Sequence, residues 1–262
     1  METALPQLRR GAEPFLLEGG EAGCVCVHGF TASPEEMRWL GEHLHARGLT
    51  VCAPRLAGHG TRPAMMRRQH WMDWYESVLD GIALVRARCP KVFAVGLSMG
   101  GLLSLRVAEA GLVDGAVVMA APLYVHAPLR LASVLKYVRP YRVPQRGDLD
   151  ARVRAIQRET GREDHGRVAY DEGTPVASIA QLRALMGEVR RHLPEITVPL
   201  LLIYSQSDRT VPFGNMQVVA EQVRSPDLVL KTLEHSDHVL TQEIEREAVY
   251  EMVWEFLSAR LE

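Results

Sequence analysis

Short unbroken apolar runs alternate along the chain with longer segments in which apolar residues recur every three or four positions. The first pattern predicts strands buried on both faces and the second amphipathic helices. "CVCVHGF" from Cys24 reads as a strand ending in glycine. "SPEEMRWLGEHLHARG" follows, with Met37, Leu40 and Leu44 as its apolar stripe, Ser33 as expected N-cap, Pro34 as first helical residue and Gly48 as stop. "LTVCAP" is a second strand, and Trp71, Trp74, Tyr75, Val78, Ile82 and Val85 mark a helix whose tryptophans are expected in the core. "KVFAVGLS", "MGGLLSLRVAEAG" and "GAVVMAAP" then give strand, helix and strand. Such alternation implies an α/β fold with a mostly parallel sheet under helices on both faces.

The alternation stops between Pro122 and Glu195, where 13 Lys and Arg stand against 9 acidic residues. This reads as a helical cap insertion, with a solvated basic face, dividing a core of residues 1–121 and 196–262. Its last part, "TPVASIAQLRALMGEVRRHL", predicts a helix capped by Thr174, begun by Pro175, and apolar along Val176, Ile179, Leu182, Leu185, Met186 and Val189. Afterwards the pattern resumes: "VPLLLIYSQSD" as strand and loop, "PFGNMQVVAEQV" as helix, "DLVLKTLEHSDH" as strand and loop, and "LTQEIEREAVYEMVWEFLSARLE" as a terminal helix.

Composition narrows the function without naming it. A formal charge of −2 on 262 residues gives no footprint for nucleic acid. No stretch reads as a membrane span or signal-peptide core, so a cytoplasmic protein is expected. Cys24, Cys26, Cys52 and Cys89 show no C-x-x-C spacing and are expected as buried small apolar residues. No metal or other cofactor is expected, and His59 reads as a loop-packing residue.

The chemistry concentrates at Gly96-Leu97-Ser98-Met99-Gly100, a G-x-S-x-G placed where a strand becomes a helix. That corner lifts a serine hydroxyl out of the sheet and aims a helix N-terminus at charge forming beside it. A serine nucleophile needs a base, and the base needs a carboxylate. Loops beyond the carboxyl ends of strands supply Asp208 and His238, in the chain order this signature predicts. Asp227 and Glu234 are weaker rivals for the acid, and His235 is the rival for the base. Asp237 reads as a loop residue. An oxyanion needs two N–H donors; the Met99 amide is one, and Phe30 of "HGF" supplies the other and a possible floor for an acyl pocket.

With Ser98, Asp208, His238 and "HGF", the chain resembles the α/β-hydrolase superfamily, and within it the bacterial carboxylesterases and monoacylglycerol lipases. "GAEPF", "VHGFTASPEEMR", "APRLAGHGT", "GLSMGG", "TPVASIAQL" and "SDRTVPFGN" carry that likeness along nearly the whole chain. It implies an esterase acting on small-molecule esters, short or medium acyl esters or monoacylglycerols. Ser98 would be the nucleophile, Asp208 and His238 its relay, and Phe30 and Met99 the oxyanion donors. A thioesterase or aminopeptidase on the same scaffold, and a non-catalytic ligand-binding module, are the alternatives.

Overall fold

The computed structural model describes residues 7–125, 141–142, 155–156, 158–159 and 173–261. Much of the arginine-rich stretch read as a solvated basic face therefore lies outside the described residues. The predicted strands appear as β2 (Ala22–Val27), β3 (Thr50–Ala53), β4 (Lys91–Leu97), β5 (Gly115–Met119), β8 (Leu200–Ser205) and β9 (Leu228–Leu233). They form a parallel sheet in the order β3-β2-β4-β5-β8-β9, edged by antiparallel β1 (Phe15–Leu17) on β3. Sequence reading missed β1, because three half-buried residues are too few to show a period. It also missed a two-residue ladder between β6 (Tyr141–Arg142) and β7 (Thr174–Pro175).

Residues alternate strictly between the two faces of the sheet. Val25, Val27, Ala94, Val118 and Leu202 face one core, which holds α3 (Trp71–Arg86), α4 (Met99–Glu109), α5 (Val176–His192) and α6 (Asn215–Gln222). Cys24, Cys26, Val95, Val117 and Ile203 face the other, under α1 (Glu35–His45) and α7 (Arg246–Ser258). A short helix of four residues, α2 (Pro63–Met66), precedes α3. Each fully buried large side chain contributes about 1.5–3 kcal/mol, and strands (Phe93, Leu97, Tyr204) and helices (Met37, Leu40, Trp74, Leu102) both supply them. Trp74 is fully buried as expected, while Trp71 is partly buried at the core margin.

Three local expectations are corrected. Ser33 does not cap α1; its hydroxyl donates to the Gly11 carbonyl, and Pro34 holds the N-cap position. Thr174 does not cap α5 either, since it lies in β7 and Pro175 is the N-cap. The terminal helix starts at Arg246 rather than at the "LTQ" segment. Thr241 Oγ1 donates to the Glu36 carbonyl at 2.7 Å and Gln242 Nε2 to that of Glu35 at 3.1 Å, and these bonds hold the segment out of the helix. The four cysteines are buried and free, and burial pushes the Cys52 thiol up to about 12, which leaves it inert. No helix among the described residues is long and apolar enough to cross a membrane.

Candidate active site

β4 turns directly into α4, and Ser98 at the corner takes φ 57° and ψ −118°. A non-glycine residue held at such a positive φ stores about 1–3 kcal/mol of strain, which persists only where the surroundings enforce it. Here they do. The Ser98 amide donates to the Met119 carbonyl at the end of β5 (2.8 Å), and the Ser98 carbonyl accepts the Leu102 N–H of α4 at 3.2 Å. A Cβ on Gly96 would overlap the Gly100 carbonyl, and one on Gly100 would overlap that of Val27, so both positions require glycine.

Asp208 and His238 lie in the loops that follow β8 and β9. Asp208 Oδ1 accepts the amides of Thr210 and Val211, both at 2.8 Å, and its Oδ2 lies 2.8 Å from His238 Nδ1. His238 Nε2 lies 2.9 Å from Ser98 Oγ. With Nδ1–H directed at the carboxylate, Nε2 carries the free lone pair and can accept the serine proton. The rivals stand apart: His235 and Glu234 are exposed, and Asp227 is bound by the Arg260 guanidinium at 2.6 and 2.8 Å.

Two carboxylates that sequence reading missed lock these loops together. Asp237, 2% exposed, accepts the Arg209 amide (3.1 Å) and the His238 amide (2.9 Å) on Oδ1, and Arg209 Nε (2.7 Å) and a terminal guanidinium N–H (2.6 Å) on Oδ2. One carboxylate thus ties Arg209, the residue after Asp208, to His238. Burial opposes its ionisation, but the Arg209 amide and guanidinium outweigh that and hold it below the usual range. Glu245 accepts the amides of Glu234, His235 and Ser236 and the Ser236 hydroxyl, which likewise outweigh burial and lower its pKa. An acid beside a loop histidine is a weak sequence signal, because its partners depend on which strands become neighbours.

β2 neighbours β4, and its "HGF" loop runs alongside Ser98: a Cβ built on Gly29 would stand 3.4 Å from the Ser98 Cβ. His28 is fully buried; its Nε2 accepts the Leu56 amide at 3.2 Å, so Nδ1 carries the proton and donates to the Gly29 carbonyl at 2.9 Å. Burial, then the neighbouring His59, keep this imidazole neutral by lowering its pKa well below the ordinary value. The Gly29 carbonyl also accepts the Ala32 amide (3.2 Å). Neither the Phe30 nor the Met99 amide donates to a described residue. The Phe30 ring meets those of Trp74 at 5.9 Å and His59 at 6.3 Å, and packs on Val176 and Ile179 of α5. His59 is a buried packing residue, as expected, with burial lowering its pKa to about 4.

Away from this cluster, Glu109, His192 and Glu195 bring three ligating atoms within 4.8 Å of one another, a grouping the sequence reading did not find. They are engaged as ion pairs, His192 Nδ1 with Glu195 at 2.9 Å and Glu109 with Arg106.

A serine at a strained strand-to-helix corner, with an acid and a histidine on later strand ends of a parallel sheet, defines the chain as a hydrolase of the α/β-hydrolase class. A family model described as "Serine aminopeptidase, S33" (Hydrolase_4) matches residues 20–245, and the chain belongs to that family. It is 35% identical to a thermostable monoacylglycerol lipase of Bacillus sp. (strain H-257), over 95% of each chain. A carboxylesterase of Bacillus subtilis (strain 168) is 29% identical over 94% of this chain and 96% of that protein. The structure solved for LipS and LipT, metagenome-derived lipolytic enzymes, superimposes with a TM-score of 0.87 at 31% identity, covering 97% of this chain and all of that one. The resemblance to bacterial carboxylesterases and monoacylglycerol lipases is thereby borne out.

Proposed function

We propose that the protein hydrolyses carboxylic esters through an acyl-enzyme. Ser98 Oγ attacks the carbonyl while His238 Nε2 takes its proton, Asp208 holds the imidazole tautomer and balances the cation, and the Phe30 and Met99 amides receive the oxyanion. His238 then protonates the departing alcohol, and a water deprotonated by the same nitrogen frees the acid. The single observation that carries this reading is the continuous chain from Asp208 Oδ2 to Nδ1 at 2.8 Å and from Nε2 to Ser98 Oγ at 2.9 Å.

The substrates we propose are short- to medium-chain acyl esters and monoacylglycerols. Support comes from the relatives' activities and from Val176 and Ile179, which extend the apolar surface at Phe30. These α5 contacts also favour reading residues 122–195 as a cap over the acyl site.

The test is fluorophosphonate labelling followed by peptide mapping, with turnover measured on esters of increasing acyl length, monoacylglycerols, thioesters and aminoacyl amides. Label on Ser98 alone, a loss of about 10⁶ in kcat for Ser98→Ala, and the highest kcat/KM on an oxygen ester are expected. Full activity in Ser98→Ala would overturn the reading. A preference for aminoacyl amides would move the substrate class to the peptidases that the family description names.

A further inference from the structure

Gly29 precedes the proposed oxyanion donor Phe30, and having no side chain it offers little resistance to rotation of the peptide planes on either side. Its carbonyl, part of the same rigid plane as the Phe30 N–H, is held by His28 Nδ1 and the Ala32 amide. On its other side, the Gly29 N–H donates to Glu36 Oε2 at 2.7 Å. Glu36 is only 5% exposed, and a buried carboxylate is costly unless it is hydrogen-bonded. The first turn of α1 offsets part of that cost through the helix dipole. Its neighbour Glu35 answers the same dipole but turns to Arg38, whose Nε lies 2.7 Å away. Glu36 instead reaches back seven residues to the loop beside Ser98.

The main chain of the same turn grips the segment after His238. Thr241 Oγ1 donates to the Glu36 carbonyl and Gln242 Nε2 to that of Glu35. One helical turn therefore braces both the loop of the oxyanion donor and the loop of the base. We propose that Glu36 is a positioning residue for the reaction: its carboxylate fixes the His28–Gly29 peptide and, through Gly29, the direction of the Phe30 N–H at the oxyanion. This rests on the proposed role of the Phe30 amide.

Three variants test it. Glu36→Met fills the space without an acceptor, Glu36→Asp keeps the charge but withdraws it by one methylene, and Glu36→Gln keeps an acceptor at the same reach. Met and Asp should each lower kcat about 10–100-fold with KM within about threefold, less than outright loss of an oxyanion donor. Gln should stay within about threefold of the native enzyme. The ratio of kcat/KM for an oxygen ester to that for its thionoester, which reports oxyanion stabilisation, should fall in Met and Asp and not in Gln. A lowered melting temperature with native kcat in Met and Asp would overturn the proposal and leave Glu36 a structural brace. Equal losses in Gln and Met, or losses in KM alone, would also overturn it. Glu36→Asp carries the test should Glu36→Met not fold. Activity surviving in Ser98→Ala would instead refute the catalytic reading itself, whatever the Glu36 variants do.

Discussion

At the β4–α4 corner the geometry around Ser98 is enforced by backbone: a positive φ, two glycines with no room for a Cβ, and a ladder bond to β5. At the ends of β8 and β9 the same precision comes from side chains, with Asp237 and Glu245 gathering loop amides and Ser205 Oγ bonded to the Ser236 carbonyl. The two regions meet at the 2.9 Å contact between Ser98 and His238. A backbone-built corner is intolerant of added volume, because close-packed main chain has nowhere to move. A side-chain-built corner is distributed over several hydrogen bonds, so losing one is tolerated but charge matters and pH reaches it.

This contrast can be broken most forcefully at Asp208. Replacing it by Asn preserves its size but favours the wrong imidazole tautomer, and kcat should fall about 10⁴-fold while folding is kept. A loss below tenfold would hand the orienting role to another carboxylate. Next is the backbone half: Gly100→Ala should cost about 4 kcal/mol or more in urea unfolding, through the clash with the Val27 carbonyl. Gly187→Ala in α5, where a Cβ would meet nothing within 4 Å, should instead gain about 0.5–1 kcal/mol.

The third test concerns pH. His59 titrates near 6.5 when unfolded and about 4 when folded, so the unfolded chain binds the extra proton between these values. Its stabilising contribution is complete above 6.5, is lost as pH falls toward 4, and amounts to on the order of 3 kcal/mol. His28, shifted in the same direction, adds to the loss. The melting temperature should therefore fall between pH 6.5 and 4, and less steeply in His59→Asn. Asp237 and Glu245, whose folded pKa values are depressed, extend the decline at lower pH. The smaller of the two catalytic effects is expected for Asp237→Asn, which keeps one acceptor for the two amides but gives up the charged pair with Arg209. A fall of about tenfold in kcat, equivalent to about 1.4 kcal/mol, with KM unchanged would mark the side-chain-built half as tolerant. A loss as large as that of Asp208→Asn would erase the contrast.

Much of the sheet, and the residues that meet in the site, were legible in the chain because their signals are local. Strands such as "CVCV" and "LLLIY" announce themselves by unbroken apolar character, since both faces are covered. The Ser98 corner is likewise encoded within five residues, where small neighbours are a steric condition for the bend. Asp208 and His238 could be inferred because a parallel sheet puts functional loops at one end of its strands. The three-residue β1 and the delayed start of α7 were not legible, as both depend on partners far along the chain. The same holds for Glu36 and Asp237, which look like an ordinary first-turn acid and a loop residue. Their roles arise only when strand order brings residues 28–36, 208–209 and 237–242 to one edge of the molecule. Local sterics and periodicity are properties of the sequence alone, whereas the partner of a buried carboxylate is decided by the tertiary structure, because a hydrogen bond acts only over about 3 Å.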